Sequence, residues 1–349
     1  MEVGRTRPTV SLSLQTAQPT HSPFSRVALS VDSFTANHMN TELPDPALPL
    51  QTRAGMVAVV GAANAGKSSL INQLTGEKIS IVSPVAQTTR NVVRAILTGD
   101  QAQVVFLDTP GVHRTGKKQL NHHMNKMARG STEGVDVVML VMDRAAKPSL
   151  EVNGWMRRLV DESEAQLLFL LNKCDKDDRS SQFFKDQWAE LSAEKENPPQ
   201  PHWIDVSANE SLNIDELRDW LMAAMPASPL LFPADMVSDF PRKLAIGDFI
   251  REKFLTRLRE ELPHSIAVWV ESLVETENKW KIEAHVLVRQ NSQKGMVIGN
   301  KGRVLKAVKG EAATELHEIY GVRIDLTLIV KVEKDWDKNF WILRKLGYA

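Results

Sequence analysis

The sequence predicts an α/β half, a mostly parallel sheet with helices on both faces, followed by a smaller α+β half. Three observations carry this. From Gly55 to about Met225, short and nearly continuous apolar runs alternate with helix-length segments, the pattern of strands buried on both faces by crossover helices. Four prolines, Pro226, Pro229, Pro233 and Pro241, then punctuate a stretch without periodicity, a linker stiffened by proline rather than loosened by glycine. Past Arg242 the order becomes α-β-β-α-β.

Taken in order, strand-like runs lie at Met56–Val60, Val104–Leu107, Val137–Met142, Leu167–Leu171 and Trp203–Val206. Helical segments fall between them at Lys67–Leu74, Leu150–Val160, Phe183–Glu194 and Ile214–Met225. The second half reads as an amphipathic helix, Leu244–Leu262, two strands, Ile266–Glu275 and Trp280–Arg289, and a Gly-containing turn. A helix from Arg303 to Tyr320 and a last strand, Val322–Val332, complete it. Residues 1–50 are rich in Ser, Thr and Pro and show no periodicity. They read as a disordered or non-native extension, with a targeting peptide or a true start at Met39 as the other readings. The expected domains are therefore 1–50 as extension, 51–228, a linker at 229–241, and 242–349 with a C-terminal tail.

A hydrophobic content of 42% with 25% charged residues excludes wholesale disorder. No run approaches the ~18 apolar residues of a membrane span. Cys174 is the single cysteine, which excludes an intramolecular disulfide and fits a reducing compartment. The 43 basic and 43 acidic residues cancel, which on its face argues against nucleic acid. The cancellation is between unlike parts: 3 basic and 4 acidic in 1–50, 20 and 24 in 51–241, 20 and 15 in 242–349. A net charge of +5 therefore sits on the second half.

Gly61-Ala-Ala-Asn-Ala-Gly66-Lys67-Ser68 fits G-x-x-x-x-G-K-[ST] between a strand and a helix, the context of a phosphate-binding loop. Its glycines let backbone N–H groups, including those of Asn64, Ala65 and Ser69, turn toward phosphate oxygens at a helix N-terminus. Lys67 would span the β- and γ-phosphates and Ser68 would bind Mg²⁺. Asn172-Lys173-Cys174-Asp175 closes a strand. The Asp175 carboxylate can accept from guanine N1–H and N2–H₂ together, a pair adenine lacks. Asn172 can reach N7 and tie loops together, the Lys173 stem can lie along the base, and Ser207-Ala208 would offer a backbone N–H to O6. In Asp108-Thr109-Pro110-Gly111, Asp108 suits a water-mediated Mg²⁺ contact and the Gly111 N–H a γ-phosphate contact. Thr89, rather than Thr88, is the candidate hydroxyl for the metal. Val112 has no hydrogen-bonding side chain where a water-orienting glutamine is common, so slow unstimulated turnover is expected. Asn64 is a candidate ligand for K⁺ beside the phosphates.

In the second half, Ile298-Gly299-Asn300-Lys301-Gly302 precedes the helix at Arg303. Such a Gly-x-x-Gly turn lets two backbones approach closely, as KH domains do when they clamp about four nucleotides of single strand. From Arg289 to Gly310 there are six basic residues and no acidic one, among them Lys294, Lys301, Arg303 and Lys306.

With Ser83-Pro-Val-Ala-Gln-Thr-Thr-Arg90, the run Asp108–His113, Arg251-Glu-Lys-Phe254 and Glu260-Glu-Leu-Pro-His264, the chain resembles the TrmE–Era group of GTPases, and its second half narrows this to Era. The likeness covers about residues 50–349. Ala62 and Ala63 depart from it, since the family usually has Pro before the Asn. The resemblance implies an α/β P-loop NTPase domain followed by an α+β type II KH domain. It implies GTP hydrolysis to GDP and phosphate with Mg²⁺, a grip on the 3′ end of 16S-type small-subunit ribosomal RNA gated by GTP, and help in small ribosomal subunit assembly. A cytoplasmic bacterial monomer, peripheral at the inner membrane and not bound to DNA, is expected, with the mitochondrial matrix as the alternative location. Two rival readings are a nucleotide-gated protein- or membrane-binding switch and an ATP-using enzyme. The lack of a basic amphipathic helix counts against the first, and Asp175 against the second.

Overall fold

The computed structural model describes residues 52–85, 88–111 and 119–348. The three readings of the N-terminal extension, and the expectations placed on Gln87, Val112 and His113, lie outside the described residues. The first half runs β1 (Arg53–Gly61), α1 (Lys67–Thr75), β2 (Val93–Thr98), β3 (Ala102–Asp108), α2 (Gln119–Gly130), β4 (Val137–Asp143) and α3 (Leu150–Glu162). It continues with β5 (Gln166–Asn172), α4 (Ser181–Ser192), β6 (His202–Val206) and α5 (Ile214–Ala224). These strands form one sheet, in the order β2-β3-β1-β4-β5-β6. All pairings are parallel except β2 with β3.

The apolar runs form these strands because both of their faces are covered. Val57 and Val59 of β1 pack with Leu70 and Leu74 of α1 and Leu217 of α5. Ala58 and Val60, one residue out of phase, pack with Trp155 and Met156 of α3 and Phe184 and Trp188 of α4. On that second face Phe169 meets Trp188 and Trp203 edge-on, ring centroids 4.7 and 5.0 Å away. Alternate residues pointing to opposite faces is the pleat at work. The proline segment is extended but not loose. Ser228 N–H donates to Thr52 O, Ile96 N–H to Val237 O, and the buried Gln103 side chain bonds the backbone of Leu231 and Phe232.

The second half comprises α6 (Arg242–Leu255), α7 (Leu262–Ser265), β7 (Ala267–Glu275), β8 (Lys279–Val288), α8 (Asn291–Ile298), α9 (Arg303–Tyr320), β9 (Arg323–Val332) and α10 (Phe340–Lys345). Its sheet is ordered β7-β8-β9, with β7 antiparallel and β9 parallel to β8. α6 and α9 cover one face through Ile246, Ile250, Val308 and Leu316. On the other, Trp336, Leu343, Leu346 and Tyr348 join Ala267 and Leu287, and α2 reaches the same cluster with Leu120 and Met124.

Three expectations change. The helix predicted over Leu244–Leu262 ends at Leu255, and the chain turns through Glu260, at φ 57°, before Pro263 opens α7. The Gly-containing turn after β8 is preceded by a helix, α8, which buries only Val297 and so leaves no apolar stripe to read. The first sheet also has an antiparallel edge strand, β2, absent from the sequence reading. No helix among the described residues is long and apolar enough to cross a membrane.

Candidate functional site

The carboxyl ends of β1, β3 and β5 converge on one cleft of about 370 Å³, at the position where ligands of open α/β sheets bind. The loop after β1 is shaped by two glycines that nothing larger could replace. A Cβ at Gly61 (φ 144°) would lie 2.2 Å from Val141 O, and one at Gly66 (φ 100°) 2.1 Å from Asn172 Nδ2. α1 follows at once, so the free N–H groups of Lys67, Ser68 and Ser69 open on the cleft. Lys67 is buried, and its Nζ donates to Gly61 O (3.2 Å) and Ala62 O (2.9 Å). Burial pulls its pKa down to about 8, against the pull of the nearby Asp108 carboxylate.

Ser68, Thr89 and Asp108 form one cluster. Ser68 Oγ donates to Asp108 Oδ2 at 2.7 Å and lies 2.9 Å from Thr89 Oγ1. Asp108 is fully buried, and burial pushes its carboxyl up while the Ser68 hydrogen bond and Lys67 hold it down. Its Oδ1 is buried without a hydrogen bond among the described residues. Two hydroxyls and a carboxylate with one uncommitted oxygen are hard donors of the kind Mg²⁺ takes, with water completing the shell. Thr88 is unsuited to the metal because its hydroxyl donates to Val85 O at 2.6 Å. Thr109 and Pro110 are buried, and the Thr109 hydroxyl donates to Val59 O at 2.7 Å, so its side chain pins the loop instead of facing a ligand. Gly111 lies against the phosphate loop, its would-be Cβ 3.0 Å from the Ala63 backbone. Asn64, at φ 60°, donates from Nδ2 to Pro84 O at 2.9 Å.

At the base end, Asn172 joins three loops. Its Nδ2 donates to Ala65 O (2.7 Å), and its Oδ1 accepts from Lys173 N–H (2.8 Å) and Ala208 N–H (3.2 Å). One amide hydrogen remains for guanine N7. The Lys173 head is fixed by Asn64 O at 3.0 Å and Asp143 Oδ2 at 2.5 Å, which holds its stem along the cleft. Asp175 Oδ1 accepts from Ser207 Oγ at 2.5 Å, and that bond holds its carboxyl below the usual carboxylate range, ionised as the guanine contact requires. The backbone N–H expected for O6 is not free. Ser207 N–H donates to Leu212 O and Ala208 N–H to Asn172 Oδ1, so O6 would share the longer Ala208 bond.

The second site is a turn between two helices. α8 ends at Ile298, which packs partly into the core; Gly299 (φ 74°, ψ 169°) takes an extended positive-φ conformation open essentially to glycine alone, and Lys301 (φ 50°) and Gly302 (φ 75°) are left-handed before α9. A Cβ at Gly299 would lie 2.5 Å from Val304 Cγ2, whereas Gly302 faces open space. Asn300, Lys301, Arg303 and Lys306 are exposed and Lys294 is half-exposed. These cations make no ion pair among the described residues. Arg289, counted with them in the sequence, pairs with Asp337.

The family described as 50S ribosome-binding GTPase matches residues 56–173, and the KH domain family matches residues 261–337. GTPase Era of Thermoanaerobacter sp. (strain X514) is 37% identical over 307 residues, covering 85% of this chain and 97% of that protein. The chain belongs to the Era family of GTPases. GTPase Era of Rippkaea orientalis is 36% identical over 306 residues, covering 87% and 95%. A crystal structure of Era with MgGDPNP and nucleotides 1506–1542 of 16S ribosomal RNA is similar at a TM-score of 0.78 and 32% identity, covering 85% of this chain and 99% of that one. A variant of Aquifex aeolicus Era bound to GDP and AlF4⁻ matches with the same score and identity, covering 85% and 100%.

As an Era-family member the chain is a GTPase with a P-loop domain and a KH domain. The sequence reading passed over Ser83, Pro84 and Asn209, which line the cleft, and Asp143, which stands outside it and anchors Lys173. The signal for Asp143 was available, since it closes a strand just as Asp108 and Asn172 do.

Proposed function

We propose that the chain is a Mg²⁺-dependent GTP switch that grips single-stranded small-subunit ribosomal RNA near its 3′ end and assists assembly of that subunit. The GTPase domain would span 51–228, the linker 229–241 and the KH domain 242–349. The observation that carries this reading is the pairing, on one chain, of the Ser68–Thr89–Asp108 cluster with an exposed Gly299–Gly302 turn ringed by unpaired cations. It is supported by the similar Era structure, which holds MgGDPNP and a 16S ribosomal RNA fragment together. The 50S in the GTPase family's description does not bear on the RNA, because that match stops at residue 173.

In hydrolysis, Asp175 selects guanine and Lys67 lies across the β- and γ-phosphates. Ser68 and Thr89 would hold Mg²⁺ directly and Asp108 through water; when bound, the ion neutralises charge on the phosphate oxygens. The Gly111 N–H would bond the γ-phosphate. Water attacks that phosphorus in line, the bond to the β–γ bridging oxygen breaks, and GDP and phosphate leave. With valine at position 112, unstimulated turnover is slow, and K⁺ held by Asn64 would supply the missing charge. Equal turnover in Na⁺ and K⁺ would remove the Asn64 role. Cytoplasmic location, a monomeric state and peripheral contact with the inner membrane rest on the family resemblance alone.

The RNA reading is tested by crosslinking the protein, loaded with a GTP analogue, to total RNA and sequencing what is recovered. Recovery centred on the small-subunit 3′ end, lost in Gly302→Asp while GDP affinity is kept, is expected. Gly302 suits the test because its added side chain meets no neighbour. Unchanged recovery would refute the assignment.

A further inference from the structure

The Arg251-Glu252-Lys253-Phe254 string has no place in either site, yet its first two residues grip the segment that carries Thr89. Arg251, on α6, is fully buried, and its Nη2 donates to Thr88 O and, at 3.0 Å, to Asp248 Oδ1. Glu252 beside it accepts from Val82 N–H at Oε1 (2.7 Å) and pairs through Oε2 with Lys78 (2.7 Å) and Lys253 (3.0 Å). Ile81, which lines the nucleotide cleft, is buried in the core of the second half, in one cluster with Ala245 and Phe249. On the far side of Thr89, the buried Arg90 donates to Ile266 O at 2.8 Å. Thr89 is therefore bracketed by residues 82, 88 and 90, each bonded to the KH half, while its own hydroxyl meets Ser68.

We propose that Arg251 and Glu252 are positioning residues for GTP hydrolysis, holding Val82 and Thr88 so that the Thr89 hydroxyl sits at the metal. Arg251 suits the task chemically. Its guanidinium keeps its charge when buried, and its planar fork can serve the Asp248 carboxylate and the Thr88 carbonyl at once, which a lysine cannot do with the same geometry. Docking of the KH half thus completes the metal site in cis. The inference rests on Thr89 being a metal ligand, and the test separates the two.

The measurement is single-turnover GTP hydrolysis by the full chain as a function of Mg²⁺, with GDP affinity as the check that the P-loop half is intact. Arg251→Met and Glu252→Ala should each raise the Mg²⁺ needed for half-maximal rate by about ten- to a hundredfold, the loss of a charge-assisted hydrogen bond, with GDP affinity within about twofold. Thr89→Ala should do the same, and Thr89→Ala with Arg251→Met should be no worse than Thr89→Ala alone, because both remove one contact. Arg257→Ala cuts an ion pair of the KH half, with Glu311, without touching Glu252, Val82 or Thr88, and should leave the Mg²⁺ requirement unchanged. If Arg251→Met loses GDP binding through misfolding, Glu252→Ala carries the same comparison. An unmoved Thr89→Ala would end the metal role itself. A shift in Thr89→Ala without one in the α6 variants, an additive double mutant, or an equal shift in Arg257→Ala would overturn the positioning role and leave the metal site standing.

Discussion

In the proposed guanine site, Asp175 is a single exposed carboxylate that would acquire selectivity from its surroundings. Its charge is secured by Ser207, and the base it would prefer is one that supplies two donors in its plane. Asp175→Asn exchanges an acceptor for a donor on one side and should lower GTP affinity by roughly a hundredfold or more, the cost of an unmatched polar contact in a specific site. Xanthosine triphosphate should gain in proportion, read by competition binding. Lys67 makes a pH prediction. Burial lowers its pKa to about 8, and bound phosphates favour the ammonium form, so the bound pKa is the higher one. Binding then takes up a proton above about pH 8, and GTP affinity should fall about tenfold from pH 7 to pH 9. The fall should be absent in Lys67→Ala. An equally steep fall in that variant would assign it to another group.

At the scale of elements, long apolar runs were legible and sparse ones were not. β1, β4 and β5 are buried on both faces and announce themselves. β2 is six residues with Arg94 in it, and its far edge is closed by Val237, distant in sequence. α2 does carry a helical spacing, Leu120, Met124, Met127 and Ala128, but with so few apolar residues among histidines and asparagines that the sequence reading passed it over. The Gly299–Gly302 turn was readable from its glycines, but their unequal roles were not. Gly302 is left-handed helical, which costs a Cβ-bearing residue about 1–2 kcal/mol; Gly299, at ψ 169°, sits where essentially only glycine goes, and it alone also faces a side chain, Val304. Gly299→Ala should therefore destabilise the KH half more than Gly302→Ala, measured by chemical denaturation. Equal losses would show that the Val304 contact carries no weight.

For the whole molecule, the docking of the two halves was the part least accessible from sequence, because its contacts join residues far apart. Arg90 and Ile266, for example, are separated by 176 positions. The C-terminal residues are the keystone. Trp336 is fully buried, donates to Ser265 O at 2.9 Å, and shares a cluster with Leu120 and Met124 of α2, the helix that follows the Asp108–Gly111 loop. Trp336→Ala should lower unfolding free energy by about 3–5 kcal/mol, checked by urea denaturation. The segments that carry Thr89 and Asp108 thus both lean on the KH half, one through Arg90 and the other through α2. The most direct test of this account is the affinity for a single-stranded oligoribonucleotide from the small-subunit 3′ end, measured at fixed salt with the protein in its GTP-analogue and GDP states. The account predicts tighter binding in the GTP-analogue state, abolished by Gly302→Asp. The same affinity in both nucleotide states would contradict it.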